Sequence, residues 1–398
     1  MPSHLQPSLP MILDDLPTPV LLIERSRLEN NLARMQAKAK VQGVALRPHT
    51  KTHKSVALAL RQGAHGAQGL TVAKVGEAEV FVDAGFADVR LAYPVVGHDK
   101  HERLLALSER ARLTFCVDTR EGALAASAFY VAHGRQAEVL IEVDGGYGRC
   151  GVPWDHPGSI DFAAFVAGLP GLKLTGILTH AGQAYHGPDE GETEAEGLRR
   201  VSTLERDTML DFAVRMQQAG IRGVTPEIFE ISIGSTPSMA FFENRTQGGF
   251  TVTEIRPGNY VFHDATQVGL GSAHLQDCAL TVLTTVVSKH RDSGRERLFL
   301  DAGRKVFTSD GGYGTDGYGR LLYNARTMEP LPHAHLTGLS EEHGWVQVRG
   351  GATMTVGDRV RVVPNHACVV VNTQDVCYLV DGEEVLESWP VDARGKVV

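Results

Sequence analysis

Residues 113–144 read LTFCVDTREGALAASAFYVAHGRQAEVLIEVD. Two short apolar runs rich in β-branched residues, 113–118 and 139–144, flank a segment, 121–133, with helical patterning. Strand, helix and strand in this order predict a βαβ unit, in which the two strands are parallel and the helix covers one face of the sheet.

The same unit recurs on both sides of this segment. Helical patterns at 55–62, 76–84 and 194–219 separate further apolar runs. Eight barrel strands are predicted: Ala45–Thr50, Leu70–Ala73, Val89–Tyr93, Leu113–Asp118, Val139–Asp144, Leu174–His180, Glu227–Ile233 and Thr253–Tyr260. Eight strands alternating with helices predict an α/β fold, a parallel (β/α)8 TIM-type barrel, with a doubly wound sheet as the alternative.

The pattern changes after residue 265. Short runs punctuated by Gly and Asp follow one another without a long helix, and Asp381-Gly382 between two of them is a hairpin signal. The predicted strands are Thr281–Ser288, Arg297–Asp301, Trp345–Val348, Arg359–Val363, Val369–Val371, Val376–Val380 and Glu383–Leu386. We therefore expect a barrel over 20–265 and a mainly antiparallel β domain over 266–398. Residues 1–19 are free to join the β domain, and Val20–Glu24 either pairs with it or leads into the barrel.

Composition excludes several classes of protein. The chain has 398 residues with 47 acidic against 39 basic side chains, a net charge of −8, which argues against a nucleic-acid binder. No apolar run approaches the roughly 18 residues that span a bilayer, and the first ten residues lack the features of a secretory signal. Five scattered cysteines without a CxxC pair predict a reduced, cytoplasmic protein.

Four segments place chemically useful side chains or backbone where barrel strands end, which is where barrel enzymes keep their active sites. Lys51 follows the first strand, in RPHTKTHK (47–54); a solvated loop cation is the plainer interpretation. Arg149 follows the fifth, in DGGYGRCG (144–151), and can bind an oxyanion. SIGSTPS (232–238) and PGNY (257–260) follow the last two strands, the frequent phosphate site of such barrels, although each alone is also an ordinary turn.

A fifth segment, PNHAC (364–368), lies in the β domain. In an extended chain, residues i and i+2 face the same side, so His366 and Cys368 are expected to point together. Imidazole and thiolate suit a zinc ion, and two protein ligands leave positions open for substrate. A buried cysteine beside a surface histidine is the alternative.

Taken in order along the chain, RPHTKTHK, DGGYGRCG, SIGSTPS, RPGNY and PNHAC resemble the fold-type III pyridoxal-phosphate enzymes of the alanine-racemase-like barrel group. The nearest likeness is to the metal-dependent D-serine dehydratase and D-threonine aldolase family, over residues 17–389. The resemblance implies pyridoxal 5′-phosphate as cofactor, with Lys51 as its Schiff-base lysine and Arg149 at the phenolic oxygen of the ring. Arg256 corresponds to the arginine beside the ring nitrogen in racemases, with a solvated side chain as the alternative.

The resemblance also implies the remaining site residues. His180 and Tyr185, in THAGQAY, wall the cofactor unless they are core residues. His366 and Cys368 bind a divalent metal, zinc first, with manganese or magnesium as alternatives. The phosphate cup consists of Gly234, Ser235, Thr236, Gly258, Asn259 and Tyr260.

His-x-Cys resembles the dehydratases of the family, whereas the aldolases resemble His-x-Asp. The implied reaction is loss of water from a β-hydroxy D-amino acid such as D-serine, giving a 2-oxo acid and ammonia. D-threonine aldolase-type cleavage to glycine and an aldehyde is the alternative. D-threo-3-hydroxyaspartate dehydratase shares His-x-Cys, so the substrate stays open. An amino-acid racemase or a cofactor carrier are further alternatives, and the resemblance implies a homodimer.

Overall fold

The computed structural model describes residues 11–292, 295–349 and 354–398, so residues 1–10 of the N-terminal segment discussed above lie outside it. In the described chain the strands are β1 (Val20–Glu24), β2 (Ala45–Leu46), β3 (Leu70–Val72), β4 (Asp88–Pro94), β5 (Arg112–Val117), β6 (Ala137–Asp144), β7 (Val152–Pro153), β8 (Leu172–Leu178), β9 (Glu230–Ile233), β10 (Glu254–Ile255), β11 (Leu280–Asp292), β12 (Arg295–Leu300), β13 (Gly319–Asn324), β14 (Ala334–Leu339), β15 (Gly344–Val348), β16 (Arg359–Pro364), β17 (Val376–Asp381) and β18 (Glu384–Pro390). The α-helices are α1 (Arg25–Gln42), α2 (Val56–Ala64), α3 (Val75–Asp83), α4 (His98–Leu107), α5 (Arg120–Ala132), α6 (Pro157–Gly168), α7 (Glu194–Gln218), α8 (Ala265–Gly269), α9 (Arg304–Phe307) and α10 (Ala367–Val371).

The first sheet has nine parallel strands: eight follow the order β3-β4-β5-β6-β8-β9-β10-β2, and the short β7 pairs with β6 off this path. A parallel bridge between His49 and Thr71 joins the end of β2 to β3, so the two edges of the sheet meet. The Thr71 N–H donates to the Pro48 carbonyl at 2.8 Å across the same seam. The strands alternate with helices as the apolar pattern predicts, so the barrel prediction is confirmed.

Charged side chains occupy the N-terminal ends of the barrel strands. Arg90 of β4 is fully buried and donates to Glu230 of β9 and to Glu254 of β10. Burial raises the pKa of Glu254, but Arg90 and Arg47 outweigh it and lower this pKa to about 2. A buried guanidinium needs such partners because an unpaired charge is costly away from water. This network lies opposite the strand ends where a barrel site is built.

The second sheet is mainly antiparallel. Its order is β14-β15-β12-β11-β1-β17-β18, and β16 pairs with both β11 and β13. β1 joins it, antiparallel to β11 and parallel to β17. The expectation that the barrel begins at residue 20 is therefore corrected for Val20–Glu24, whose five residues are all buried in the β sheet.

The chain divides into two compact units at boundaries that differ from the expected ones. One unit comprises residues up to Asn30 together with Phe262–Thr266 and His274–Val391; the other comprises Asn31–Val261, Gln267–Ala273 and Asp392–Val398. We call them the β unit and the barrel unit. The last seven residues belong to the barrel unit, where Ala393 N–H donates to the Lys54 carbonyl at 2.9 Å.

In the part of the chain that the structure describes, no helix is long and apolar enough to cross a membrane. All five cysteines are free, and Cys116, Cys278 and Cys377 are buried.

Candidate active site

Lys51 lies in a tight turn directly after β2. The turn is a short 3-10 helix, Thr50–Thr52, in which both threonines are buried. His49 caps it, since its Nδ1 accepts the Lys51 N–H at 3.4 Å. Lys54 closes the turn in the left-handed region, at φ 50°, and its N–H donates to the Thr50 carbonyl at 2.7 Å. The backbone that carries Lys51 is thus fixed on both sides.

Basic groups from several strand ends surround this turn. Burial lowers the pKa of His49 well below its usual value, and the charges of Lys51 and Arg256 lower it further. Burial likewise lowers the pKa of His180, with Lys51 and Arg149 adding to the effect. These mutual effects require the groups to lie close together. The structure therefore brings Lys51, Arg149, His180 and Arg256 into one place, where an anion would be attracted.

The loop after β6 aims Arg149. Asp144 Oδ1 accepts the backbone N–H groups of Gly146, Tyr147 and Gly148 at 2.8–3.0 Å, which folds the loop back on itself. Nη2 of Arg149 then lies 3.6 Å from Glu142 Oε1, and the guanidinium lies over the ring of Tyr147.

Glu142 is a site residue that the motif search missed. It is 2% exposed, and burial raises the pKa of its carboxyl. Its Oε1 accepts the Cys150 thiol at 3.1 Å, while Oε2 has no hydrogen-bond partner within the described residues. Its place between the apolar residues Ile141 and Val143 is the signal that could have found it.

The SIGSTPS loop and the PGNY turn lie together after β9 and β10. Tyr260 N–H donates to Thr236 Oγ1 at 3.1 Å, which joins the two segments. Ser235, Thr236 and Asn259 are all buried. Two glycines are closely packed against the protein itself: a Cβ on Gly258 would stand 2.7 Å from Thr52 Oγ1, and one on Gly234 would stand 2.8 Å from Arg256 N, so neither position has space for a side chain.

The side chain of Tyr260 departs from the expected cup. Its hydroxyl accepts from Gln62 Nε2 at 3.2 Å, and Gln62 Oε1 in turn contacts His53 Nε2 at 3.2 Å. Burial raises the pKa of this phenol. The ring of Tyr260 is therefore a core residue, and its backbone N–H is the part that contacts the SIGSTPS loop.

Arg256 is buried, which corrects the alternative of a solvated side chain. One terminal nitrogen donates to Ser232 Oγ at 2.5 Å and the other to the Thr179 carbonyl, while Nε has no acceptor among the described residues. Burial lowers the pKa of Arg256 to about 10, so it stays cationic at neutral pH.

The two predicted wall residues follow β8. His180 is largely buried, its Nδ1 lies 3.3 Å from the Gly234 carbonyl, and its ring meets Tyr147 edge-to-face at 6.1 Å. Tyr185 ends the 3-10 turn Gly182–Tyr185 and is half-buried. His180 is thus tied to both the Arg149 loop and the phosphate cup.

His366 and Cys368 lie in the β unit, but not as predicted. Val369–Val371 was expected to be a strand; the segment is the helix α10, so the argument from an extended chain is wrong. The helix begins there because Asp264 accepts the Ala367 N–H at 2.9 Å. The side chains of His366 and Cys368 nevertheless reach each other, within hydrogen-bond range.

Asp310 completes this constellation. Its Oδ2 lies 2.8 Å from His366 Nδ1. Burial lowers the pKa of His366, but the charges of Cys368 and Asp264 outweigh it and raise this pKa to about 10. Such surroundings favour a cation. Across the described residues, no group of three or more His, Cys, Asp or Glu is arranged to hold a metal, so an ion here would rely on two protein ligands and on water or substrate.

Comparison with known proteins assigns the family. Residues 23–265 match the family described as "Alanine racemase, N-terminal domain", and residues 279–380 match "Putative serine dehydratase domain". D-threo-3-hydroxyaspartate dehydratase of Delftia sp. (strain HT23) is 35% identical over 365 residues, covering 89% of this chain and 91% of the relative. The chain belongs to the alanine-racemase-like, fold-type III pyridoxal-phosphate enzymes.

Two further relatives of this fold-type III chain cover almost its whole length. D-threonine aldolase of Arthrobacter sp is 34% identical over 406 residues, covering 99% of this chain and 97% of the relative. A cysteine-to-alanine variant of D-threo-3-hydroxyaspartate dehydratase, solved in the metal-free form, superposes with a TM-score of 0.85 at 32% identity, covering 96% of this chain and 98% of that one. The relatives are lyases, both dehydratases and aldolases.

The barrel unit fits the cofactor of the fold-type III family. Arg256 Nε is a buried donor that lacks an acceptor among the described residues. The basic groups around Lys51 suit the negative charge of a phosphate ester. In the β unit, Asp310 orients His366 as a carboxylate typically orients a metal-binding histidine.

His53 makes the fold-type III barrel sensitive to acid. It is fully buried, its Nδ1 accepts the Ser55 N–H at 3.1 Å, and burial lowers its pKa to about 4. Because the unfolded chain protonates near pH 6.5 and the folded one near 4, stability falls as the pH drops through this window. His53 alone contributes a loss of about 2 kcal/mol between pH 7 and 5.

We expect His53→Asn, measured by chemical denaturation, to lose correspondingly less stability over the same pH range than the unchanged protein. The exposed His98→Asn should leave the pH dependence as it is. Equal pH dependence in all three proteins would contradict a neutral His53.

Proposed function

We propose that this enzyme removes water from a β-hydroxy D-amino acid with pyridoxal 5′-phosphate and a divalent metal, giving a 2-oxo acid and ammonia. The observation that carries the proposal is the His366–Cys368 pair with Asp310 behind it. A racemase exchanges one proton at Cα and has no use for a cation-binding pair, whereas a leaving hydroxyl does.

Lys51 is the proposed catalytic residue. Its amine is the nucleophile that holds the cofactor and, once released, the base that takes the proton from Cα of the substrate. The fixed turn 50–54 restricts where that amine can go. His49 and His180, both kept neutral by burial, do not compete with Lys51 as cations.

The cofactor, when bound, withdraws electron density from Cα. We propose that Ser235, Thr236 and the backbone of the PGNY turn hold its phosphate, with Gly234, Gly258 and Asn259 shaping the cup. Arg149, held by Glu142, is proposed to donate to the phenolic oxygen, and Arg256 Nε to the ring nitrogen. His180 and Tyr185 are proposed to limit the space beside the ring.

A divalent cation supplies Lewis acidity that makes a hydroxyl a better leaving group. We propose that His366 and Cys368 bind it, zinc being the ion that an imidazole and a thiolate suit best. The variants solved for the dehydratase relative support this assignment. They replace a histidine and a cysteine two positions apart, and the cysteine variant was solved in a metal-free form.

Retro-aldol cleavage is the second candidate. The 34% identity to D-threonine aldolase over nearly the whole chain favours it, and a cation at the β-oxygen serves that reaction too. The His-x-Cys pattern and the 35% identity to D-threo-3-hydroxyaspartate dehydratase favour dehydration. That relative makes 3-hydroxyaspartate a candidate substrate beside D-serine.

The products decide between the two reactions. We expect the purified protein, supplied with pyridoxal 5′-phosphate and zinc, to release 2-oxo acid and ammonia in equal amounts from D-serine or D-threo-3-hydroxyaspartate. D-threonine, its L-enantiomer and D-alanine serve as comparisons. Glycine with aldehyde as the main product would contradict dehydration and support the aldolase, and interconversion of D- and L-alanine without added metal would contradict both.

We also propose that the protein acts as a homodimer in the cytoplasm. Membership of the family supports the dimer, and five free cysteines support a reducing compartment. Light scattering of the purified holoenzyme measures the oligomeric state directly.

A further inference from the structure

We propose that Glu205 is a positioning residue that shapes the phosphate cup before the cofactor binds. Glu205 lies on α7, remote in sequence from every motif quoted above, and is 1% exposed. The inference rests on the proposed function in one respect: the SIGSTPS loop is taken to hold the cofactor's phosphate.

Three hydrogen-bond donors converge on this carboxylate, all from loops at strand ends. Oε1 accepts the N–H of Gly234 at 2.9 Å and that of Ala181 at 3.2 Å. Oε2 accepts the Ser238 hydroxyl at 2.8 Å. Since an ionised carboxylate only accepts, all three donors are matched by an acceptor of the right kind.

The third bond extends the influence of Glu205 to the middle of the loop. Because the Ser238 hydroxyl donates to Glu205, its lone pairs are left to accept the Ser235 N–H at 3.2 Å and the Ser235 hydroxyl at 3.0 Å. The Ser235 carbonyl, at 3.2 Å, is a second acceptor for the Ser238 hydroxyl, and the charged carboxylate at 2.8 Å is the nearer and stronger one. Residues 234, 235 and 238 are held in one conformation by a single side chain from a helix.

Gly234 is where this restraint matters most. Its φ of +131° is accessible to glycine but strained for other residues, and such a conformation persists when the surroundings fix it. Glu205 fixes it from the amide side, while the Gly234 carbonyl meets His180 Nδ1 at 3.3 Å on the other. The Ala181 bond holds the residue next to His180 to the same carboxylate.

A buried carboxylate has a high free-energy cost if its only role is to stabilise loops. Burial raises the pKa of Glu205, which reports the cost of keeping the charge away from water. A well-packed apolar side chain is often no less stabilising than a buried charge. A fixed cup, by contrast, binds a phosphate without first ordering its loop, which increases affinity. Glu205 is thus expected to act on cofactor binding rather than on the chemical step.

The test measures the dissociation constant of pyridoxal 5′-phosphate for the apoenzyme, by absorbance titration, beside the thermal midpoint of the apoenzyme and kcat at saturating cofactor. For Glu205→Ala we expect affinity to fall about 100-fold, since two amides and a hydroxyl lose a charged acceptor. The kcat at saturating cofactor should stay within about threefold, because the chemical groups are untouched.

Two conservative variants and a control sharpen the result. Glu205→Gln keeps an oxygen for the two amides and should restore affinity to within about tenfold of the unchanged protein. Ser238→Ala, which removes the hydroxyl that joins Glu205 to Ser235 but keeps the carboxylate, should weaken affinity about tenfold and serves if Glu205→Ala does not fold. Thr208→Val on the same helix, whose hydroxyl bonds to its own helix at Leu204, should leave affinity unchanged.

A lower thermal midpoint with unchanged affinity in Glu205→Ala and Ser238→Ala would reduce Glu205 to a structural role and overturn the proposal. Unchanged affinity together with a lost kcat would also overturn the proposal. If the unchanged protein itself fails to bind pyridoxal 5′-phosphate, the proposed function is wrong, a result distinct from failure of this inference.

Discussion

Lys51→Ala should abolish turnover of every β-hydroxy D-amino acid tested, by about 10⁴-fold or more, because one amine both holds the cofactor and moves the Cα proton. The variant should keep its fold, since Lys51 is only half-buried and its turn is fixed by His49 and Lys54 through backbone bonds. Initial rates and circular dichroism measure the two properties together.

Lys74→Ala is the matched control for Lys51. Lys74 precedes α3 on the loop after the neighbouring strand β3, and its ammonium lies over the ring of Tyr93. Turnover should therefore be retained in Lys74→Ala. A Lys51→Ala enzyme that keeps turnover within tenfold would show that the amine is not the catalytic group.

Loss of the metal pair should have the second largest effect. His366→Ala and Cys368→Ser are each expected to lower turnover by at least about 100-fold and to reduce the bound zinc measured by mass spectrometry, since even residues that merely orient a metal ligand cost 10–100-fold when replaced. Chelation of the unchanged protein should reproduce the loss, and added zinc should reverse it. Binding of pyridoxal 5′-phosphate should persist, because these residues belong to the β unit.

His290→Ala controls for the metal pair. His290 is an exposed histidine of the same unit that contacts Ser288, so neither zinc content nor turnover should change. Asp310→Asn should give an intermediate loss, because it weakens the bond that orients His366 Nδ1. Full turnover of the chelated protein would contradict a role for the metal.

The barrel could be predicted from the sequence because each βα unit has its own recognisable apolar pattern within a short stretch of chain. The lengths of the strands could not be predicted in the same way. β2 ends at Leu46 and β10 at Ile255, although the strands were predicted to continue to Thr50 and Tyr260. Pro48 and Pro257 follow two residues later in each case, and a proline cannot donate to a strand ladder. The chain turns there, and those turns carry Lys51 and the phosphate cup.

Two segments have structures that depend on contacts with distant residues, which a local sequence pattern does not show. Val20–Glu24 pairs with β11, some 260 residues away, and no periodicity specifies such a partner. The β-branched residues Val369–Val371 have a high propensity for strands. The segment is nevertheless a helix, and Asp264 accepts the N–H of its first residue. Strand propensity describes packing on a sheet, so it fails where the segment does not join one.

Glu142 and Glu205, two buried carboxylates of the barrel unit, differ in how easily the sequence identifies them. Glu142 interrupts an apolar strand, so its position could have been questioned from the sequence alone. Glu205 lies in a long helix with many charged residues, where one more glutamate attracts no notice. Its importance depends on two loops that the fold brings to it.

Peptide mapping after borohydride reduction tests the central claim most directly. The holoenzyme, yellow from bound pyridoxal 5′-phosphate, is reduced, digested and analysed by mass spectrometry. We expect a stable cofactor adduct on the peptide that contains Lys51 and on no other lysine. An adduct on a different lysine, or none on a protein incubated with excess cofactor, would contradict it.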